Sequence, residues 1–335
     1  MARAVDTMNL VLGVDGCNTK TLAPVARDDG VILGTGRASC SDIYGAKSPA
    51  AAIGEIERAV DTALQEAGIQ VTQLSTCAFS LAGADWPEDF QLLGDAMRER
   101  GYGQSIVVVN DAMGALRAGS PDGTGVVVAC GTGAAIGARH PDGRIWHSSF
   151  WQLVQGADEL SSRALRAVYR AELRIDPPTL LTQRILEVFA ARNVEEILHR
   201  LTGRDIPRPE HRRQLVRPLF DAADVGDDAA RRIVISHGRA LGDYVIAAAR
   251  KVGLLEMPFT LVLTGGVLRH PSPLLRDALA EDVREEVPGV HAIKSRFEPV
   301  AGAVLLALDL ELIEADADLL ERLEKTLPGA TFFAT

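Results

Sequence analysis

The sequence predicts an α/β protein with two domains. Its 335 residues, 47% of them hydrophobic, can bury a large core and exceed the usual length of one domain. Apolar strand-like runs alternate with helical patterns, which indicates a sheet with a parallel portion. The N-terminal strand pattern also begins again at Gly125. Together these observations favour two related α/β halves.

The first half begins with a meander of three predicted strands, "LVLGVD", "TLAPVAR" and "GVILGTG", with a turn at Asp28-Asp29-Gly30. A helix is predicted from about Pro49 to Ala67. There follow a strand "STCAFSLAG", a helix near Pro87 to Arg100, a strand "SIVVVND" and a small-residue helix "AMGALRAG". This alternation gives the predicted sheet its parallel portion.

The second half repeats the order of the first meander in "GVVVACGTGAAIGARHPDGRIWH", which a diverged internal duplication explains. A mostly helical stretch is predicted over about 153–252, with polar breaks at "RIDPPT" and "GRDIPRPEH". The chain then reads as a strand "FTLVLTGGV", a helix "SPLLRDALAEDVREEV", a strand near "GVHAIKS" and a last helix "GAVLLALDLELIEA".

The charge balance and hydropathy exclude two classes of partner. A net charge of −10 argues against nucleic acid, which requires a basic face. No stretch reaches the roughly 18 uninterrupted apolar residues of a membrane span, and the N-terminus does not resemble a secretion signal. We therefore expect no membrane partner and a cytoplasmic location.

The four cysteines lie far apart in the sequence, at Cys17, Cys40, Cys77 and Cys130, without a CxxC pair or a neighbouring histidine. This spacing predicts buried free thiols rather than a zinc site. Four histidines are likewise interpreted as structural, because none has metal-ligand spacing: His140, His147, His237 and His270. The basic run "RPEHRRQLVRP" is interpreted as a solvated connection between helices.

Two turns have the chemistry of phosphate contacts. Asp15 ends an apolar strand, and a turn with Thr19 follows, so that a carboxylate lies beside exposed backbone N–H groups and could hold Mg²⁺ through water. A plain Asp-Gly hairpin is the alternative. In "ACGTGA", two glycines around Thr132 allow the backbone to approach an anion closely. Two such turns at matching points of a repeat favour a nucleotide site.

Two further segments complete the candidate site. Gly265 and Gly266 end a strand and Ser272 opens a helix, as an adenosine-contacting turn would. Asn110 and Asp111 follow an apolar strand, where ligands of open α/β sheets collect. Asp111 could accept a proton from a hydroxyl that attacks a γ-phosphate, although a helix N-cap is the alternative role.

Taken in order, these segments resemble the actin-like ATPase superfamily. Within it, "GVDGCNTKT", "LAGAD", "NDA", "GTG", "RALRAVYRAELRIDPPTLL", "LTGGV" and "EPVAGAVLLAL" are similar to the N-acetylglucosamine kinase and BadF/BadG/BcrA/BcrD-type ATPase family. The resemblance covers about residues 10–312. It implies two ribonuclease-H-like domains with an interdomain cleft. We expect residues 1–118 and about 300–335 to form the first domain, because the last helix returns to it, and 119–299 to form the second, with a helical insertion.

The resemblance also implies roles for individual residues. ATP and Mg²⁺ would contact the set Asp15, Gly16, Asn18, Thr19, Lys20, Gly131, Thr132, Gly133, Gly265, Gly266 and Ser272. Asp111 would be the general base. The "GRASCSDIYGA" and "SLAGAD" loops resemble sugar-contacting segments, and with the end of the "VVVND" strand they nominate Ser41, Asp42, Gly83, Asp85 and Asn110.

The segment "SSFWQLVQGADELSS" departs from the family pattern. Members that phosphorylate N-acetylglucosamine usually carry GGWG and GDEGS there, whereas only Trp151 and Gly156 align here. The usual asparagine of the first sugar loop is also replaced, by Ser41 or Asp42. An altered acetyl pocket and acidic sugar loops predict a free amino sugar as a substrate, because a carboxylate favours an ammonium group. N-acetylglucosamine is the alternative.

We therefore expect an ATP-dependent kinase that phosphorylates a hydroxyl of an amino sugar or hexose, and that forms a homodimer. One alternative is an ATPase activator of a radical dehydratase or reductase, which needs closely placed thiolates for an iron–sulfur cluster. The other alternative is a non-catalytic sugar sensor. The spacing of the cysteines disfavours the activator, and the presence of Asp15, Asp111 and the "GTG" turn disfavours the sensor.

Overall fold

The computed structural model describes residues 9–204 and 214–333. Its first sheet has the order β3-β2-β1-β4-β5. The strands are β1 (Leu10–Gly16), β2 (Thr21–Arg27), β3 (Ile32–Ala38), β4 (Leu74–Leu81) and β5 (Ser105–Asn110). Strands β1, β2 and β3 pair antiparallel, whereas β4 pairs parallel with both β1 and β5. The carboxyl ends of β1, β4 and β5 therefore lie at one edge of the sheet.

The second sheet has the same strand order. It consists of β6 (Gly125–Cys130), β7 (Ala134–Arg139), β8 (Ile145–His147), β9 (Thr260–Thr264) and β10 (His291–Lys294). Its order, β8-β7-β6-β9-β10, reproduces that of the first sheet strand by strand, and its β7–β8 and β9–β10 pairs are antiparallel and parallel as before. The predicted repeat and the predicted α/β class with two ribonuclease-H-like halves are confirmed.

Twelve helices accompany the sheets in the described ranges. They are α1 (Pro49–Ala67), α2 (Pro87–Glu99), α3 (Asp111–Gly119), α4 (Ala157–Glu172), α5 (Leu181–Phe189), α6 (Val194–Thr202), α7 (Val216–Asp224), α8 (Asp228–Val252), α9 (Leu274–Glu286), α10 (Pro299–Leu310), α11 (Ala317–Thr326) and α12 (Ala330–Phe333). The predicted helix over Pro49 to Ala67 is confirmed at both ends, since Ser48 caps its first turn and Gly68 follows it in the left-handed conformation.

The prediction that "GAVLLALDLELIEA" forms the last helix is wrong. Helix α10 ends at Leu310, and α11 and α12 follow it. Helix α11 begins at an Asp316 cap and buries Leu319 and Leu323, which lie four residues apart on one face of the helix. The predicted break "GRDIPRPEH" lies mostly outside the described residues. No helix in the described ranges is long and apolar enough to cross a membrane.

The chain divides into two compact units. The first contains the described parts of 9–127, 137–149 and 295–333, and the second contains 128–136, 150–204 and 214–294. These units divide the chain within β6 and β7, whereas the predicted domain boundary lies between residues 118 and 119. The predicted boundary stays a prediction.

The core of the first unit is completed by α10. A Cβ at Gly13 of β1 would clash with the backbone of Val304, and a Cβ at Gly302 would clash with the carbonyl of Gly114 in α3. Only glycine permits such close backbone contacts. The buried Arg117 guanidinium of α3 also forms two hydrogen bonds with Asp309, at 2.8 and 3.0 Å. Helix α10 is thus fixed against β1 and α3.

Candidate functional site

Three carboxylates lie at the carboxyl edge of the first sheet. Asp15 is the penultimate residue of β1, Asp85 lies in the loop after β4, and Asp111 directly follows β5. The parallel register pairs Asp15 with Ser80, and Leu81 with Asn110, so the three strand ends are level. The sequence therefore brings these acidic groups together through parallel pairing, as sheets of this class do at ligand sites.

Asp111 occupies the first position of α3, and Asn110 is the N-cap. The Asn110 side chain accepts a hydrogen bond from the Ala112 N–H at 3.1 Å, so the alternative N-cap role for Asp111 is wrong. Ser80 also fixes this helix start, because its hydroxyl donates to the Asp111 carbonyl at 3.2 Å and accepts from the Gly114 N–H at 3.1 Å. The backbone at Asp111 is thereby fixed at this edge of the sheet.

The environment of Asp111 makes it a stronger base than an ordinary aspartate. Burial raises the pKa of Asp111 to about 7, and the charges of Asp15 and Asp85 add to the shift. A carboxylate with a pKa near neutrality can take up a proton during a reaction and release it afterwards.

Asp15 is a buried carboxylate that lacks a hydrogen-bond partner among the residues the structure describes. Its side chain is 6% exposed. Burial raises the pKa of Asp15 to about 7, with Lys20 opposing the shift and Glu298 adding to it. Because a buried unpaired charge is costly, this carboxylate fits a site for a cation. Oxygen ligands of this kind suit Mg²⁺, which is held in proteins by one or two carboxylates and water.

The turn after β1 is a tight hairpin in which the Cys17 N–H donates to the Lys20 carbonyl at 2.9 Å. Thr19 lies near the Cys17 thiol, at 3.6 Å between Sγ and Oγ1. The Lys20 ammonium donates to the Phe333 carbonyl of α12, so this predicted phosphate contact is engaged by the chain itself. Asn18 is exposed, and its amide oxygen lies against Gly45 in the first sugar loop.

The two predicted sugar loops pack against each other. Gly83 has a φ of 81°, and a Cβ there would lie 2.6 Å from Asp42 Oδ1. Asp42 is 7% exposed and accepts from the Tyr44 N–H at 2.9 Å. Ser41 is fully buried against Gly16, and its hydroxyl has no partner among the described residues. A sugar contact by Ser41 would therefore require the loop to move, and it stays a prediction.

Asn110 supports the second sugar loop. Its side-chain N–H₂ donates to Asp85 Oδ1 at 3.0 Å and to the Ala84 carbonyl at 3.3 Å. With its oxygen engaged in the α3 cap, Asn110 connects the start of α3 to the loop after β4. Its predicted direct contact with substrate stays a prediction.

In the second unit, the turn Gly131–Thr132–Gly133 packs on the start of α4. The Gly131 carbonyl accepts from the Ala157 N–H at 2.8 Å and the Thr132 carbonyl accepts from Asp158 at 3.3 Å. A Cβ at Gly156 would clash with the carbonyls of both glycines of the turn. By contrast, a Cβ at Gly131 would meet nothing within 4 Å. The turn is thus supported on one side and open at Gly131.

The glycine pair after β9 likewise has one glycine packed against the chain and one beside open space. Gly265 has a φ of 92° and lies against the backbone of Cys130, whereas a Cβ at Gly266 would meet nothing within 4 Å. Ser272 is buried and donates to Asp224 Oδ1 at 2.6 Å, and Pro273 rather than Ser272 is the N-cap of α9. The expectation that Ser272 opens the helix is therefore wrong by one residue, and its adenosine contact stays a prediction.

Sequence reasoning missed four residues that shape these sites. Ser80, Gly156, His147 and Ser149 all lie within hydrogen-bond or van der Waals distance of predicted site residues. Ser80 had a signal, since it is a polar residue inside the apolar run "CAFSLAG". His147 and Ser149 had none, because their partner Asp85 lies 64 residues from Ser149 in the sequence.

The cysteines only partly match their prediction. Cys77 and Cys130 are buried, but Cys17 and Cys40 are partly exposed, so the prediction of four buried thiols is wrong for two of them. Burial raises the pKa of Cys77 and of Cys130 to about 12, which keeps these thiols protonated. In the described part of the chain, no group of three or more His, Cys, Asp or Glu side chains could hold a metal ion.

Two relatives each match about nine tenths of the chain. An N-acetyl-D-glucosamine kinase from Dictyostelium discoideum is 29% identical over 315 residues, covering 90% of this chain and 98% of the relative. An N-acetylmuramic acid/N-acetylglucosamine kinase from Clostridium acetobutylicum is 25% identical over 308 residues, with coverage of 90% and 98%.

A solved structure shows the same fold. It is a Chromobacterium violaceum protein proposed to be an N-acetylglucosamine kinase, with a TM-score of 0.64, 23% identity and coverage of 90% of this chain and 99% of the other. Residues 12–307, which include every candidate site residue described above, match the sequence pattern of the BadF/BadG/BcrA/BcrD ATPase family. The chain belongs to the BadF/BadG/BcrA/BcrD ATPase family.

Proposed function

We propose that this protein is an ATP-dependent sugar kinase that transfers a γ-phosphate to a hydroxyl of an amino sugar. The observation that carries the proposal is the position of Asp111, at the first turn of α3 beside Asp15 and Asp85, with a pKa raised to about 7. Membership of an ATPase family and similarity to two sugar kinases support the same activity.

In the proposed reaction, Asp111 accepts the proton of the sugar hydroxyl as the hydroxyl oxygen attacks the γ-phosphorus. The bond from that phosphorus to the β-bridging oxygen breaks, and ADP leaves with the electron pair. The raised pKa of Asp111 suits it to this role because a base is most effective when its pKa is near the working pH. Protonated Asp111 then returns its proton to solvent.

Asp15 would hold Mg²⁺ through water, since it is a buried carboxylate without a hydrogen-bond partner in the described ranges. When bound, Mg²⁺ supplies charge neutralisation to the phosphate oxygens. The open faces of Gly131 and Gly266 would let backbone groups approach the nucleotide.

The identity of the sugar is a finer proposal. The named relatives act on N-acetylglucosamine, and one also acts on N-acetylmuramic acid. The acidic groups Asp42 and Asp85 add free glucosamine as a candidate, because a carboxylate forms a charge-assisted hydrogen bond with an ammonium group. The alternative of an iron–sulfur activator has less support, since Cys77 and Cys130 are buried and the four cysteines lie far apart in the sequence.

The test is an ADP-release screen with Mg²⁺-ATP and four sugars, namely glucosamine, N-acetylglucosamine, glucose and N-acetylmuramic acid. We expect sugar-dependent ADP release that is largest for an amino sugar, and thermal stabilisation by the same sugar. Anaerobically purified protein should be colourless. ADP release that no sugar stimulates, or a visible iron–sulfur spectrum, would contradict the proposal.

A further inference from the structure

A chain of hydrogen bonds joins His147 to Asp85 through Ser149. The Ser149 hydroxyl donates to Asp85 Oδ1 at 2.5 Å, and it lies 2.5 Å from His147 Nδ1. Ser149 is the second residue after strand β8, which ends at His147. Its φ of 38° is unusual for a residue with a Cβ. A residue held in such a conformation is commonly found where the surrounding contacts require it.

The direction of this chain follows from counting protons. A serine hydroxyl has one proton, and Ser149 gives it to the Asp85 carboxylate. His147 Nδ1 must therefore carry a proton and donate it to Ser149 Oγ. Burial lowers the pKa of His147, against the opposing charge of Asp85, which favours the neutral ring. The hydrogen bonds to Ser149 and Asp85 place its proton on Nδ1.

The consequence for Asp85 is that its two oxygens have different surroundings. Oδ1 accepts from Ser149 and from the Asn110 side chain, at 2.5 and 3.0 Å. Oδ2 has no hydrogen-bond partner among the residues the structure describes. The Asp85 backbone is also held, because its N–H donates to Asp89 at 3.3 Å. One oxygen is therefore fixed, and the other remains an acceptor in a partly exposed side chain.

The free oxygen belongs to the same edge of the sheet as the proposed base. Asp85 lies near Asp111, because the side chain of Asn110, the residue before Asp111, donates to Asp85 Oδ1 at 3.0 Å. The charge of Asp85 also raises the pKa of Asp111. Asp42 and Asp89 face Asp85 as well and add negative charge. A sugar whose reacting hydroxyl reaches Asp111 would thus present a neighbouring hydroxyl or amino group to Asp85.

We infer that His147 and Ser149 are positioning residues for sugar binding: they hold Asp85 Oδ1 so that Oδ2 accepts a hydrogen bond from the sugar. This inference rests on the proposed kinase function and assigns no chemical step to either residue. It also replaces the interpretation of His147 as a purely structural histidine.

Two variants of His147 separate a donor role from a packing role. The His147 ring also contacts Phe90, with ring centroids 6.2 Å apart. His147→Phe keeps a ring but removes the donor, whereas His147→Asn loses the ring but places an N–H near the position of Nδ1. If His147 acts as a donor, Phe raises the KM for N-acetylglucosamine on the order of tenfold and Asn restores most of it, as expected for a bond in a charged network. If His147 serves only to pack against Phe90, His147→Asn raises the KM for N-acetylglucosamine more than His147→Phe does.

A variant of Ser149 provides the second test. Ser149→Gly removes the hydroxyl and relieves the positive φ, so its melting temperature should equal or exceed that of the wild type. We expect its KM for N-acetylglucosamine to rise on the order of tenfold as well, with kcat and the KM for ATP little changed. An unchanged sugar KM in this stable variant would overturn the inference while leaving the kinase function intact.

Sugar analogues identify the sugar group that donates a hydrogen bond to Asp85. Monodeoxy analogues of N-acetylglucosamine are compared in wild type and in Ser149→Gly by kcat/KM. One analogue lacks the hydroxyl that donates to Asp85. Its loss of kcat/KM relative to N-acetylglucosamine should be smaller in Ser149→Gly than in the wild type, because the variant has already weakened that hydrogen bond. Equal losses for every analogue in both proteins would overturn the inference. A wild type that phosphorylates no sugar at all would overturn both the proposed function and this inference.

Discussion

The two units carry different kinds of chemical group at the ends of their strands. The first unit gathers Asp15, Asp85 and Asp111 at one sheet edge, where burial raises the pKa of each. The second unit offers glycine turns, with open space at Gly131 and Gly266. Carboxylates can take protons and hold cations but repel phosphate, whereas backbone N–H groups attract it. Two sheets of one topology thus carry different groups, buried carboxylates in the first unit and open glycine turns in the second.

The largest effect should come from Asp111→Asn. If Asp111 is the base, kcat falls by about 10²-fold or more, since general-base catalysis contributes about 10²–10⁴-fold. Asparagine preserves size, so ATP binding and the fold should persist. Steady-state kinetics with equilibrium nucleotide binding measure both. The wild-type kcat/KM should also rise with pH through about 7, because the base acts in its deprotonated form. Near-normal kcat of Asp111→Asn would show that Asp111 is not the general base.

The glycine turn of the second unit should control nucleotide rather than sugar. Gly131→Val and Gly133→Val place a branched side chain in the way of an approaching phosphate, and we expect the KM for ATP to rise at least about tenfold. Gly54→Val is a suitable control, because a Cβ at Gly54 in α1 meets only Arg58 at 3.8 Å. Equal loss of sugar and ATP affinity in the turn variants would contradict the division between the units.

Asp15→Ala tests whether the carboxylate edge also serves the nucleotide through a cation. The Mg²⁺ concentration for half-maximal rate should rise about tenfold, the loss typical of an outer-sphere ligand partner. A Mg²⁺ titration at saturating ATP measures this. Asp95→Asn provides an acidic control on the same unit, because Asp95 is exposed and pairs with Arg98 in α2. An unchanged Mg²⁺ requirement would limit Asp15 to a structural role.

The smallest effect concerns stability. The folded-state pKa of Asp111 is raised above its ordinary value, so its contribution to stability is complete below about pH 4 and is lost as pH rises through about 7. Asp111→Asn should therefore melt at least about 2 °C higher than wild type at pH 8, and the difference should shrink toward pH 5. Thermal unfolding at both pH values, without nucleotide, measures this. If the wild type melts at a higher temperature than Asp111→Asn at pH 8, the charge of the Asp111 carboxylate is not destabilising in the folded protein, which would contradict this prediction.

Local sequence patterns are sufficient to predict the strands and turns that carry the candidate site residues. The apolar run before Asn110 and Asp111 identified β5, and parallel pairing then determined which strand ends meet. Contacts between distant segments were not predictable in this way. Ser149 contacts Asp85 because β8 ends beside the loop after β4. The hydrophobic periodicity of the sequence does not predict which distant segments lie side by side. The support that Gly156 gives to the glycine turn is equally non-local.

The close contact of Gly13 with Val304 has a consequence for biosynthesis. Strand β1 emerges from the ribosome first, but the helix that covers it is among the last elements made. At elongation rates of about 5–20 residues per second, the nascent first unit waits roughly 15–60 s for α10. During that interval the β1 surface around Gly13 is a surface that chaperones can recognise, and a chain that terminates before residue 299 never covers it.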